Sequence, residues 1–115
     1  MADLHSLSAQ VIAFRDERDW KQFHNAKDVS ISLLLEASEL LEHFQWKDAQ
    51  QTERTALEKR AEIGAELADV LYYTLLLAHD LNIDLADALQ SKLQVNAAKY
   101  PVDKARGSNK KYTDL

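Results

Sequence analysis

A chain of 115 residues, 46% hydrophobic and 29% charged, fits one globular domain and is too apolar for a disordered segment. Two glycines, one proline and no cysteine argue against β-sandwiches, barrels, Rossmann folds, disulfide scaffolds, thiolate zinc sites and cysteine nucleophiles. A formal net charge of −5 opposes general nucleic-acid binding, because phosphate backbones demand cationic surface.

The start, Met1-Ala2-Asp3-Leu4-His5, lacks the basic residues and apolar block of a signal peptide. No apolar stretch approaches the ~20 residues of a membrane span. A cytoplasmic location is therefore expected, with neither membrane nor nucleic acid as partner. The first helix is expected from about Ser6 to Asp19, with Leu7, Val11 and Phe14 on one stripe. The second runs from about Val29 to Phe44, where Leu33, Leu34, Ala37, Leu40, Leu41 and Phe44 recur at helical spacing. A third, long helix opens at the capping-box pattern Thr55-Ala-Leu-Glu58 and continues through Ile63, Leu67, Val70 and Leu77 to about Leu81. The fourth starts at Asp84, a good N-cap, and reaches Lys99 before Tyr100-Pro101. Residues 101–115 are polar and are expected to be an irregular tail. The fold class is all-α, a four-helix bundle-like single domain over residues 1–115.

Two pairs of acids stand out, Glu36 with Glu39 on the second helix and Glu66 with Asp69 on the third. Residues three apart share a helix side, so each pair presents two carboxylates together at the border of an apolar stripe. Antiparallel packing of the stripes would carry both pairs to one edge of the seam. Four converging carboxylates repel one another unless Lys and Arg or a bound cation neutralise them. An all-oxygen site suits Mg²⁺, Mn²⁺ or Ca²⁺, and Mg²⁺ keeps positions open for water and substrate phosphates. A di-iron bundle would need Glu-x-x-His pairs. The residues three before His5, His24, His43 and His79 are Ala2, Lys21, Leu40 and Leu76, so that reading falls. A plain solvated acidic face is the alternative.

Trp20, Phe23 and His24 lie in the linker after the first helix, and Trp46 follows the second beside Lys47. Such rings either cover core ends or form a slot for a nucleobase, where stacking is worth ~1–3 kcal/mol. Tyr73 projects one turn beyond Asp69 on the carboxylate side. From Glu36 to Asp69 nine acidic residues face four basic ones, whereas from Lys92 onward six basic residues face two acidic ones. That polarity suits a metal site beside a polyphosphate, with Arg106, Lys110 and Lys111 as phosphate candidates or as an ordinary solvated tail.

The pattern E-x-x-E, a spacer, then E-x-x-D resembles the signature of the MazG-like all-α nucleoside triphosphate pyrophosphohydrolases. The likeness extends to Phe14-Arg-Asp-Glu-Arg-Asp-Trp-Lys-Gln-Phe-His24, Phe44-Gln-Trp-Lys47, Asn96-Ala-Ala-Lys-Tyr-Pro101 and Lys110-Lys-Tyr-Thr-Asp-Leu115, which are similar to the dCTP pyrophosphatase branch. The resemblance implies that Glu36, Glu39, Glu66 and Asp69 bind Mg²⁺; a carboxylate not fully committed to the metal could act as general base, with Glu36, Glu39 and Glu66 as candidates. The same resemblance implies nucleotide contacts at Trp20, Lys21, Gln22, Phe23, His24, Trp46 and Tyr73; Asn96 is a further substrate candidate, and phosphate electrostatics adds Lys92 with the basic tail for the departing pyrophosphate. The implied reaction splits a nucleoside triphosphate between its α and β phosphates, in a homodimer or homotetramer. Two positions depart from the family pattern. Val11 stands where close eukaryotic relatives carry a substrate-contacting His, which leaves dCTP preference open against dUTP or another nucleotide. Ala65 replaces a Glu often found before the E-x-x-D pair. From another class, a non-catalytic helical oligomerisation module also accommodates an acidic rim.

Overall fold

Asp3 starts the first helix by accepting from the Ser6 N–H at 2.8 Å, one of the donors a helix start leaves unpaired. Helix α1 spans Leu4–Glu17 in the computed structural model, which describes residues 2–115. After it, Asp19 turns the chain with φ at 54°, a left-handed conformation that aspartate tolerates. A 3-10 turn follows at Lys21–Phe23. Helix α2, Ala26–Glu42, begins where Asn25 accepts from the Asp28 N–H at 2.9 Å. The Asp28 charge in its first turn complements the positive end of the helix dipole.

The long third helix expected from Thr55 to Leu81 is two helices. These are α3, Ala49–Glu58, and α4, Arg60–Asp80. The capping box belongs to Asp48 and Gln51, not to Thr55 and Glu58. Asp48 accepts from the Gln51 N–H at 2.8 Å, and the Gln51 side chain accepts from the Asp48 N–H at 2.9 Å. Thr55 lies inside α3 as a buried residue.

Helix α5, Leu85–Lys99, starts as expected, with Asp84 accepting from the Asp87 N–H at 3.1 Å. The tail is more ordered than its polarity suggests. Pro101, at φ −60°, leads into a short helix α6, Val102–Ala105, and a 3-10 turn closes Tyr112–Asp114. Tyr112 sets its ring edge-on to Tyr100 at 6.0 Å, and the Lys99 ammonium lies 4.9 Å from its centre. Aromatic contact thus ties the end of the chain to the end of α5.

The chain forms two compact units, Met1–Asn82 and Ile83–Leu115. In the first, α4 is the hub, packed by α2, α1 and α3. His43 approaches Glu66 while Glu36 feels Asp69, so α2 and α4 run antiparallel. Helix α1 runs with α4, since Leu7 shares a cavity with Asp69 and Arg15 reaches Asp80. The apolar core is small: Val29, Leu75, Leu76 and Ala78. Leu76 is fully buried, a contribution of about 2 kcal/mol from its side chain alone. By contrast Ile31, Leu34, Leu35 and Leu41 on α2, with Leu67 and Leu71 on α4, stay exposed. Among the described residues no helix is long and apolar enough to cross a membrane.

Candidate active site

The i, i+3 spacing on α2 and α4 and the antiparallel run of these helices bring the two acid pairs into one electrostatic neighbourhood. Glu36 registers it. Loss of solvent raises its carboxyl above the ordinary carboxylate range, and Glu39, Asp69 and Glu66 push in the same direction. Its Oε2 is buried and has no hydrogen-bond partner among the described residues. No lysine or arginine pairs with any of the four acids among the described residues, although His43 stands 2.6 Å from Glu66. No three His, Asp or Glu side chains among the described residues close into a finished metal cage. The donor set is nonetheless oxygen-rich, mutually repelling and short of partners, which is the electrostatic condition a divalent cation relieves.

Asp69 belongs to a second feature as well. It lines a cavity of about 510 Å³ together with Leu7, Val11, Trp20, His24 and Tyr73. That volume lies within the range of small-molecule sites, roughly 300–1,000 Å³. One wall is an aromatic relay of edge-to-face contacts: Trp20 to Phe14 at 5.8 Å, Phe14 to Tyr72 at 6.0 Å, and Tyr72 to Tyr73 at 5.0 Å. The Arg18 guanidinium covers the Phe14 ring at 3.7 Å and donates to the Phe14 carbonyl at 2.9 Å, bracing the wall from outside. Among the described residues, His24 Nδ1 and the Tyr72 hydroxyl, both beside the cavity, are buried without hydrogen-bond partners. Burial pushes the Tyr72 phenol above its ordinary range, with the neighbouring Tyr73 adding to the rise. The cavity thus joins an aromatic, largely apolar lining to Asp69, one of the four acids.

The sequence profile of the MazG-like family matches residues 31–115. The chain belongs to the MazG-like family. This MazG-like chain is 41% identical to dCTP pyrophosphatase 1 of Mus musculus and 38% identical to that of Homo sapiens, each time over 117 residues. These alignments cover 100% of the chain and 67% of either relative. A pyrophosphatase from Archaeoglobus fulgidus DSM 4304, known from its crystal structure, is 32% identical and superposes with a TM-score of 0.82. That match covers 88% of this chain and 94% of the archaeal one.

Not every residue singled out from the sequence of this MazG-like chain meets at the cavity. Trp20, His24, Asp69 and Tyr73 line it. Lys21, Gln22 and Phe23, between the first two, are exposed, and Gln22 is engaged with the Asp19 side chain at 2.9 Å. Trp46 is 92% exposed and holds φ at 66°, a left-handed conformation that is costly for so bulky a residue. Lys92 is exposed and Asn96 half-buried on α5, within the second unit. Three residues escaped the sequence reading. Gln10 and Tyr72 line the cavity, and His43 touches Glu66. The polar Gln10 beside an apolar stripe was the one local signal available.

Proposed function

We propose that this nucleoside triphosphate diphosphatase is Mg²⁺-dependent and hydrolyses a deoxynucleoside triphosphate, dCTP or a 5-modified dCTP favoured, to the monophosphate and pyrophosphate. The observation that carries the reading is Asp69, which belongs both to the four-acid cluster and to the aromatic-lined cavity. A nucleotide has the same two-part character, a flat base and a polyphosphate. The names of the mouse and human relatives supply the candidate base.

Glu36, Glu39, Glu66 and Asp69 would hold Mg²⁺ or Mn²⁺; the buried, unpartnered Glu36 Oε2 and the all-oxygen donors fit such an ion. When bound, it supplies neutralisation of phosphate charge and polarisation of water. The rest is done by side chains. Trp20 and Tyr73 wall the base, and His24 offers a ring nitrogen to its edge. One carboxylate among Glu36, Glu39 and Glu66 takes the proton of the attacking water as its oxygen bonds to the α-phosphorus and pyrophosphate departs.

Val11 favours keeping a second reading, the same chemistry on dUTP or another nucleotide. It presents only methyl groups to the cavity where close eukaryotic relatives carry a His, and one lost hydrogen-bonding group alters base discrimination strongly. We take residues 1–115 as one catalytic domain, acting in cytoplasmic nucleotide-pool sanitation as a homodimer or homotetramer. Support for self-association comes from the exposed leucines of α2 and α4, which a lone chain would leave in water.

The test is Glu66→Gln, which keeps the shape and removes the charge. The proposal expects lost turnover and lost Mg²⁺-dependent stabilisation in a folded protein. A non-catalytic oligomerisation module would show neither loss.

A further inference from the structure

His43 is the C-cap residue of α2, one turn beyond Glu39. Its Nε2 lies 2.6 Å from Glu66 Oε2 on the facing helix α4. Both side chains are largely withdrawn from water, with 14% and 19% of their surfaces exposed. Neither atom completes an aligned hydrogen bond with any group among the described residues, the two included, so the 2.6 Å contact is one of proximity that a rotation of the imidazole would bring into line. Around them the acid neighbours Glu36, Glu39 and Asp69 carry like charge to Glu66. The backbone that carries His43 is itself pinned, since the Lys47 ammonium donates to the His43 carbonyl at 2.6 Å.

A ring nitrogen and a carboxylate oxygen at this separation attract one another when the nitrogen presents its N–H. A carboxylate held at one oxygen has a fixed direction, and it offers the other oxygen without first paying the rotamer entropy of being ordered. We propose that His43 is a positioning residue for Glu66. With its N–H turned into line it donates to Oε2 from the α2 side and so aims the second oxygen at the divalent cation. The inference rests on reading Glu36, Glu39, Glu66 and Asp69 as the cation site. It adds to that site an imidazole which no acid-pair spacing discloses, because His43 and Glu66 are brought together by helix packing.

Partners of this kind typically change metal affinity by about 10–100-fold when removed. The experiment is a titration of the nucleotide-free protein with Mn²⁺ alone, followed by electron paramagnetic resonance of the free ion, on wild type, His43→Ala and His43→Gln. The glutamine amide can restore an N–H near the lost Nε2. Circular dichroism confirms that each variant is folded. We expect His43→Ala to weaken Mn²⁺ binding by about 10-fold or more and His43→Gln to recover most of it. The KM for nucleotide at saturating Mg²⁺ should change little in either variant. Mn²⁺ binding by His43→Ala as tight as wild type overturns the inference while leaving the cation site standing. So does a folded His43→Gln that binds no better than the alanine variant. A wild-type protein that takes up no Mn²⁺ overturns the cation site, and the role of His43 with it.

Discussion

The Arg15 guanidinium, with none of its surface exposed, meets the Asp80 carboxylate at 2.8 Å and clamps the end of α1 to the end of α4. The pair stands behind the aromatic wall, because Phe14, next to Arg15, is the ring that joins Trp20 to Tyr72. Asp80 keeps contact with water and Asp16 stays 3.7 Å from the guanidinium, so removing Asp80 leaves buried Arg15 short of its main partner at a cost of roughly 1–3 kcal/mol. Asp80→Ala should therefore destabilise the protein by about that amount in urea denaturation.

The same pair fixes an acid limit. Arg15 holds the Asp80 carboxyl below its ordinary value of 3.8, through a hydrogen bond and then through charge. A carboxyl whose folded pKa is lowered contributes fully above its unfolded value and loses that contribution as pH falls through the folded one. Wild type should lose stability with an extra slope below about pH 4. Asp80→Asn should lack that slope. Thermal melts between neutral pH and pH 2 measure the difference.

Glu36 behaves in the opposite sense. Burial and its acid neighbours raise its pKa, so its ionised form opposes folding at neutral pH and the penalty fades as pH falls through the raised value. Glu36→Gln should raise the melting temperature of the metal-free protein. It should also abolish the further rise produced by Mg²⁺ and lower turnover by at least about 100-fold, since a bound Lewis acid supplies several kcal/mol. A variant destabilised without metal, yet still stabilised by it, would separate Glu36 from the cation.

Tyr72 tests the cavity wall. Its hydroxyl is buried without a partner among the described residues, whereas its ring is held between Phe14 and Tyr73. Tyr72→Phe keeps the ring contacts and removes the orphan, so the ligand-free protein should gain up to about 1 kcal/mol in urea denaturation. A loss of the same size would show that the hydroxyl is satisfied in solution.

Much of this arrangement was legible in the chain because it is local. The acid pairs follow from three-residue spacing beside apolar stripes, and Asp84 caps α5 through a side chain three residues from its partner, whereas the caps at Asn25 and Asp48 lie upstream of the starts expected near Val29 and Thr55. The break at Lys59 was not legible. Glu58, Lys59 and Arg60 are all good helix formers, no glycine or proline marks the end of α3, and Thr55-Ala-Leu-Glu58 imitates a helix start. Contacts between helices leave no spacing signal at all. Arg15 and Asp80 are 65 positions apart, and His43 finds Glu66 through the register of α2 on α4.

The exposed leucines supply a separate prediction. Leu34 and Leu35 are 64% and 58% exposed, whereas the core of the first unit rests on Val29, Leu75, Leu76 and Ala78. Replacing both with glutamate should lower the mass seen in sedimentation velocity to that of one chain, leaving helical content unchanged. A wild type that already sediments as a single chain would contradict the proposed assembly.

The most direct measurement is the identity of the first phosphorus-containing product when the protein meets each of the eight common ribo- and deoxyribonucleoside triphosphates with Mg²⁺. A cation grip beside a base slot predicts pyrophosphate and a nucleoside monophosphate, fastest from a deoxynucleotide and absent once the metal is chelated. Orthophosphate released first, or turnover indifferent to chelation, would contradict it.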